Sequence, residues 1–209
     1  MPQADLKLPD GCHPAAIRDS RQIGSITADA FRHDPFNTWL FGRFGAMNAA
    51  FRTLARHVYV PRGVSYRLAD EAAAMWMMPG GDIDLPGRIL PLLALNLKLR
   101  GSAGVMGRIE ATTQAMKTNH PAKPHAYLFT IGVRAGSRGK GLGRVLMRPM
   151  LDHLDRASIP AYLENSNPDN TRFYRSFGFE HRKLIYAADG APPLEAMWRE
   201  PQGFERPSG

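Results

Sequence analysis

The chain has 209 residues, with 27 Lys and Arg against 19 Asp and Glu, a formal charge of +8 and a sequence pI near 10.0. That length fits one α/β domain with a substantial core, and no run approaches the ~20 apolar residues that would cross a membrane. One cysteine, Cys12, excludes an internal disulfide framework; its neighbour His13 has no second half for a metal site. The N-terminus lacks the basic-then-apolar order of a secretory signal, and a lone thiol suits a reducing compartment, so the expected location is the cytoplasm. The basic residues are spread along the chain without a Lys/Arg run or an aromatic platform. The expected partners therefore include neither nucleic acid nor membrane.

Taken in order, Ala4 to Leu8 reads as a short first strand. A helix follows over 19–32, because Ile23, Ile26, Ala30 and Phe31 share one face. His33-Asp34-Pro35-Phe36 reads as a break, since the residue before a proline avoids helical geometry. Phe44, Met47, Phe51, Leu54, Ala55 and Val58 mark a second helix. Val64–Ala69 and Ala73–Met78 are strands joined through Asp70-Glu71; the second is apolar enough to be buried on both faces. A Leu-rich helix over 86–100 and another carrying Val105, Ile109, Thr112, Thr113 and Met116 form an insert that could cover a site.

The central stretch runs from Tyr127 to Arg144. Tyr127, Leu128, Phe129, Ile131 and Val133 give a buried strand. Leu142, Val145, Leu146, Met150 and Leu154 then give a helix, kept through Pro149 with a kink. Between them, the glycines of Arg138-Gly139-Lys140-Gly141-Leu142-Gly143 let main-chain N–H groups converge at a helix start. With the helix dipole and the charges of Arg138, Lys140 and Arg144 they make an anion site suited to phosphate or pyrophosphate. A P-loop is excluded because Lys140 precedes Gly141 rather than Ser or Thr. A dinucleotide fingerprint is excluded because Arg144 stands where a third glycine belongs.

Beyond this come a short strand over 160–164, a helix started by Asn167-Pro168, strands over 179–186 and 194–198, and a loose tail over 200–209. Residues 1–199 read as a single domain.

Ile131-Gly132-Val133, Arg138 to Gly143, Tyr162-Leu163-Glu164-Asn165-Ser166 and Asn170-x-x-Phe173-Tyr174-x-x-Phe177-Gly178-Phe179 together resemble the GNAT superfamily of N-acetyltransferases, in particular its puromycin N-acetyltransferase-like branch. The resemblance implies an α/β fold with a splayed mixed sheet flanked by helices. It also implies acetyl-CoA in the V-shaped opening and direct transfer of its acetyl group to an amine. Main-chain groups of Ile131, Gly132 and Val133 would hold the pantetheine arm. Those from Arg138 through Gly139, Lys140, Gly141, Leu142 and Gly143 to Arg144 would take the pyrophosphate, and Asn170 would bond the cofactor arm. Tyr174 matches the general acid that protonates the departing thiolate. Glu164 resembles a carboxylate that deprotonates the amine, with His125 as the alternative base. Two positions depart from the pattern: Arg138 replaces the usual Gln, and Tyr174 is followed by Arg175 rather than Glu.

The expected acceptor is a primary amine on a small molecule. Phe31, Phe36, Trp39, Phe41 and Phe44 would supply an apolar pocket, with Asp34 and Glu164 as its acidic edge. A protein lysine or N-terminus is the alternative substrate, a non-catalytic acyl-CoA-binding domain the alternative role, and homodimerisation is left open.

Overall fold

A computed structural model describes residues 6–203. Seven strands form one mixed sheet: β1 Cys12–Pro14, β2 Val64–Leu68, β3 Ala72–Met77, β4 Ala126–Val133, β5 Ala161–Asn165, β6 Glu180–Ile185 and β7 Leu194–Arg199, in the order β1-β2-β3-β4-β5-β7-β6. All neighbours are antiparallel except β4 and β5. β3 is buried along its whole length, as its apolar run requires.

The helices cover both faces. On one lie α1 Ser20–Ala30, α2 Pro35–Phe41 and α3 Phe44–Leu54, the last continued by a π-helical turn Ala55–Tyr59 and a short α4 Val60–Arg62. The insert helices α5 Leu90–Arg100 and α6 Val105–Asn119 join that layer, around Met75, Phe51 and Trp198. The other face carries α7 Leu142–Arg156 and α8 Thr171–Arg175, packed around Trp76, Leu146 and Phe179. The Tyr66 hydroxyl donates to Leu146 O at 2.6 Å. Arg199 forks onto both oxygens of Asp155 at 2.6 and 2.7 Å. These two contacts fix α7 against the sheet, since a buried two-point guanidinium–carboxylate pair holds orientation as well as distance.

Two irregularities open the sheet. β4 and β5 pair only at Ala126–Ala161 and Tyr127–Tyr162, and then splay. Opposite them, consecutive residues Met75 and Trp76 face Thr130 and Leu128, so Phe129 is an extra residue in β4. Such a bulge bends its strand and raises the local twist. From Leu128 onward the edge of β4 toward β5 has no ladder partner.

One local reading is corrected, a second is extended and a third holds. The expected strand over Ala4–Leu8 is absent where it can be seen: residues 6–8 are irregular, and Ala4 and Asp5 lie outside the described residues. The first strand is instead Cys12–Pro14, three residues long and too short to carry a periodic signal. The expected break at His33-Asp34-Pro35-Phe36 is present, since α1 ends at Ala30 and Asp34 is extended, but it is also a helix start. Asp34 accepts from Asn37 N at 2.8 Å and Pro35 occupies the first turn, so α2 follows directly. α7 runs through Pro149 as one helix. Of the tail, 200–203 is irregular and 204–209 lies outside the described residues.

Candidate active site

Two cavities meet in the splayed opening. The first, about 430 Å³, lies between the end of α1, the β4 terminus, the glycine loop and α8. Its walls include Ile131, Gly132, Val133, Arg138, Gly139, Gly141, Leu142, Gly143, Arg144 and Asn170. Gly139 and Gly141 adopt φ of 80° and 79°, the left-handed region where a side chain is strained. A Cβ at either would meet nothing within 4 Å. Gly141 caps the N-terminus of α7, so unpaired N–H groups and the positive helix end face this space. The lining fits a pyrophosphate approaching main chain rather than side chain.

Two of these glycines also have a packing reason that spacing did not reveal. A Cβ at Gly132 would approach Ala30 Cβ to 2.9 Å, and one at Gly143 the Phe173 ring to 3.3 Å. Lys140 is the exception among the expected donor-site residues. It does not line the cavity, and its ammonium pairs with Glu71 at 3.1 Å. Ser137 and Lys140 together hold the Glu71 carboxyl below its ordinary range. Arg138 lines the cavity while donating to Ala30 O at 2.6 Å, tying the loop to α1.

The second cavity, about 280 Å³, is lined mainly by apolar side chains of α2, α3, α5, α6 and β4. Phe31, Phe36 and Phe41 are on its wall as expected, but Trp39 and Phe44 are not. Trp39 packs against Phe36 with ring centroids 5.5 Å apart, and Phe44 lies under the Arg32 guanidinium at 3.7 Å. Phe51, Phe129, Leu97 and Met116 take their place, contributed by elements far apart in sequence.

Glu164 is the buried acid of this cavity, its side chain 2% exposed. Burial pushes its carboxyl up to about 7. The nearby Tyr127 and Tyr162 hydroxyls oppose that rise, yet neither closes a bond of good geometry: both carboxylate oxygens are buried without a partner. His120 Nδ1 stands 4.0 Å from Glu164 Oε1, and the same ring lines a surface cleft on the far side. Burial and the neighbouring His125 hold the His120 imidazole below its usual range.

His125 does not reach either cavity. Its Nδ1 meets Lys123 O at 2.7 Å and its ring packs against Tyr162 and Trp198. The place of Asp34 is also corrected. It lines the first cavity rather than the second, and its oxygens are committed to Asn37 and to Ser166 Oγ at 2.7 Å.

Tyr174, Phe31 and Ile131 line both cavities. Tyr174 sits on α8 and is 8% exposed; burial first, and the Asp34 charge second, raise its phenol above the ordinary value. It therefore carries its proton at neutral pH.

The acetyltransferase (GNAT) family model matches residues 95–179, which span the bulged strand, the loop, α7 and α8. The chain carries a GNAT-superfamily acetyltransferase domain. An uncharacterised N-acetyltransferase of Schizosaccharomyces pombe is 28% identical over 88% of this chain and 81% of its own length. A mycothiol acetyltransferase of a Nocardioides species is 26% identical over 87% of this chain, which spans 53% of that longer protein. Among solved structures, a Corynebacterium glutamicum protein described as a histone acetyltransferase and related acetyltransferase shares the fold. It aligns with a TM-score of 0.64 at 22% identity, covering 95% of this chain and 98% of that one. This GNAT protein is thus an N-acetyltransferase with acetyl-CoA as donor. No described helix is long and apolar enough to cross a membrane, and no described group of three or more His, Cys, Asp or Glu could hold a metal.

Proposed function

We propose that this GNAT enzyme acetylates a primary amine on a small, largely apolar molecule, with the donor in the polar cavity and the acceptor in the apolar one. The observation that carries this reading is the meeting of the two cavities at Tyr174. When bound, acetyl-CoA supplies an electrophilic thioester carbonyl and a thiolate leaving group. Main-chain N–H groups along the unladdered edge of β4, near Val133, are available to polarise that carbonyl. The glycine loop holds the pyrophosphate and Asn170 the cofactor arm.

Glu164 takes the amine proton onto a carboxylate oxygen. Its raised pKa suits this, because a base tuned near neutrality is half available and still binds the proton firmly. His120, between Glu164 and the surface cleft, gives that proton a way out. Tyr174 donates its phenolic proton to sulfur. A raised pKa keeps that proton in place until negative charge develops beside it.

The mainly apolar lining supports a small apolar acceptor over a peptide. Leu85, Leu93, Leu97, Ile109 and Met116 of the insert roof the cavity, where a protein substrate would need an open groove. The test is an amine panel with release of free thiol as readout. Small aromatic or amphipathic primary amines should exceed lysine-containing peptides in kcat/KM. Peptides ahead by about tenfold would overturn the acceptor class and leave the acetyltransferase intact.

A further inference from the structure

Behind the roof of the acceptor cavity lies a third concavity of about 450 Å³, lined by Arg18, Arg21, Arg52, Arg56, His57 and Arg100. Among the described residues, no carboxylate is on its wall. None of these five arginines makes an ion pair among the described residues. Arg52 is half-buried, and burial together with the charges of Arg21 and Arg100 lowers its pKa. A half-buried guanidinium among like charges is unfavourable by itself, because desolvation and repulsion act in the same direction. An incoming anion relieves both.

The arginines are also presented rigidly. Arg21 comes from α1, Arg52 and Arg56 from α3 and its continuation, and Arg100 from the end of α5. α1 and α3 cross so closely at Gly24 that any Cβ there would run into the Arg52 backbone. Asn48, whose side-chain oxygen is buried without a partner, and Asn96 add amide groups to the wall.

We propose that this cleft binds a ligand carrying a multivalent phosphate group, which bridges Arg52 and Arg56 to Arg100. Several guanidinium forks around one space exceed what a single carboxylate can satisfy, and phosphate oxygens match their two-point geometry. Leu93 lines both this cleft and the acceptor cavity. An anion joining α3 to α5 therefore fastens the roof of the acceptor cavity; that consequence rests on the acceptor reading above, whereas the binding itself does not. The phosphate can belong to a free polyanion or to a lipid headgroup. Leu92, Leu95 and Leu99 stand 60%, 53% and 73% exposed on the helix that borders the cleft, which is the reason to test a lipid source.

The experiment uses the full chain saturated with CoA, so that the glycine loop is already filled. Inorganic pyrophosphate is titrated by calorimetry, and vesicles of phosphatidylglycerol in phosphatidylcholine are tested separately by co-sedimentation. Saturable pyrophosphate binding assigns a free anion; binding to the vesicles alone assigns a headgroup. Either should weaken with added salt. Arg52→Gln, and independently the exposed Arg100→Gln, should each weaken it by about tenfold or more, with CoA affinity unchanged and the thermal midpoint not lowered. Binding of neither probe by the wild type, or equal binding by both variants, overturns the site. A failure to acetylate small amines would leave this result standing.

Discussion

The donor cavity takes most of its wall from residues 131–144 and 167–174, and its key surfaces are main chain. The acceptor cavity draws on α2, α3, α5, α6, β4 and β5, and its surfaces are side chains. The difference follows from the ligands proposed for them. A pyrophosphate needs converging N–H groups, which glycines at positive φ and a helix start provide whatever side chains lie nearby. A small amine must be recognised by shape and by one buried charge, so every wall residue matters and can vary separately. Donor binding should therefore be sensitive to backbone changes and acceptor binding to side-chain changes, with Tyr174 the one chemical group serving both.

Tyr174→Phe should give the largest effect. It keeps the ring, which packs on Phe173 and Phe179, and removes only the proton. With chemistry limiting, kcat should fall by ~10²–10⁴-fold while acetyl-CoA affinity holds. Equal turnover at saturating amine would remove Tyr174 from the mechanism and leave the two cavities without a shared chemical group.

Glu164→Gln sharpens the acceptor side. The wild-type rate should rise with pH through an apparent pKa near 7, as the carboxylate forms. The Gln variant should lose that limb and about 10²-fold in kcat/KM. Stability gives an independent check with a definite sign. A carboxyl whose pKa is raised from 4.5 to about 7 on folding binds its proton more tightly in the folded state. The folded state is thus favoured below pH 4.5 and loses that advantage as pH climbs through 7. A neutral amide in its place has no such loss, so thermal midpoints of variant and wild type should diverge as pH rises from 4.5 to 7 and stay apart above that, the variant higher. Parallel melting curves across that range would mean Glu164 is solvated.

Gly141→Val sharpens the donor side. The left-handed φ of 79° is unfavourable for a β-branched residue by about 1–2 kcal/mol, and the side chain would also occupy the space the pyrophosphate approaches. Acetyl-CoA should bind about tenfold or more weakly in the folded variant. The amine KM, measured at saturating donor, should change little. Unchanged cofactor affinity would move the pyrophosphate elsewhere.

The same contrast governs what can be read from the sequence. The loop is legible from one contiguous motif, and Asn170 and Tyr174 from another, because each fixes backbone shape and chemistry together. Glu164 is legible as the end of a short strand, but its burial is not, because Tyr127 comes to it from the neighbouring strand β4 and His120 from the end of α6. Asp34-Pro35 carries the same helix-start chemistry as Asn167-Pro168, yet after a long helix its proline reads as a breaker, and α2 is lost with it. Without α2 the aromatic residues cannot be sorted. Trp39 and Phe44 point away from a cavity that Phe51 and Phe129 enter, and only the packing of α3 against the bulge in β4 decides this.

His120 tests the smallest effect and the finest part of the comparison. Its ring lies between Glu164 and solvent, and rests against Tyr127 and Tyr162 at centroid distances of 5.5 and 5.3 Å. If it passes the amine proton outward, His120→Asn should lower kcat by less than about tenfold, well short of the loss at a direct acid–base group. Added imidazole should restore part of the rate, because a small base can enter the surface cleft the ring vacates. A purely structural histidine would give a lower thermal midpoint and no rescue. Full activity without imidazole would mean that water reaches Glu164 from the acceptor side, and that the apolar cavity is wetter during turnover than its walls imply.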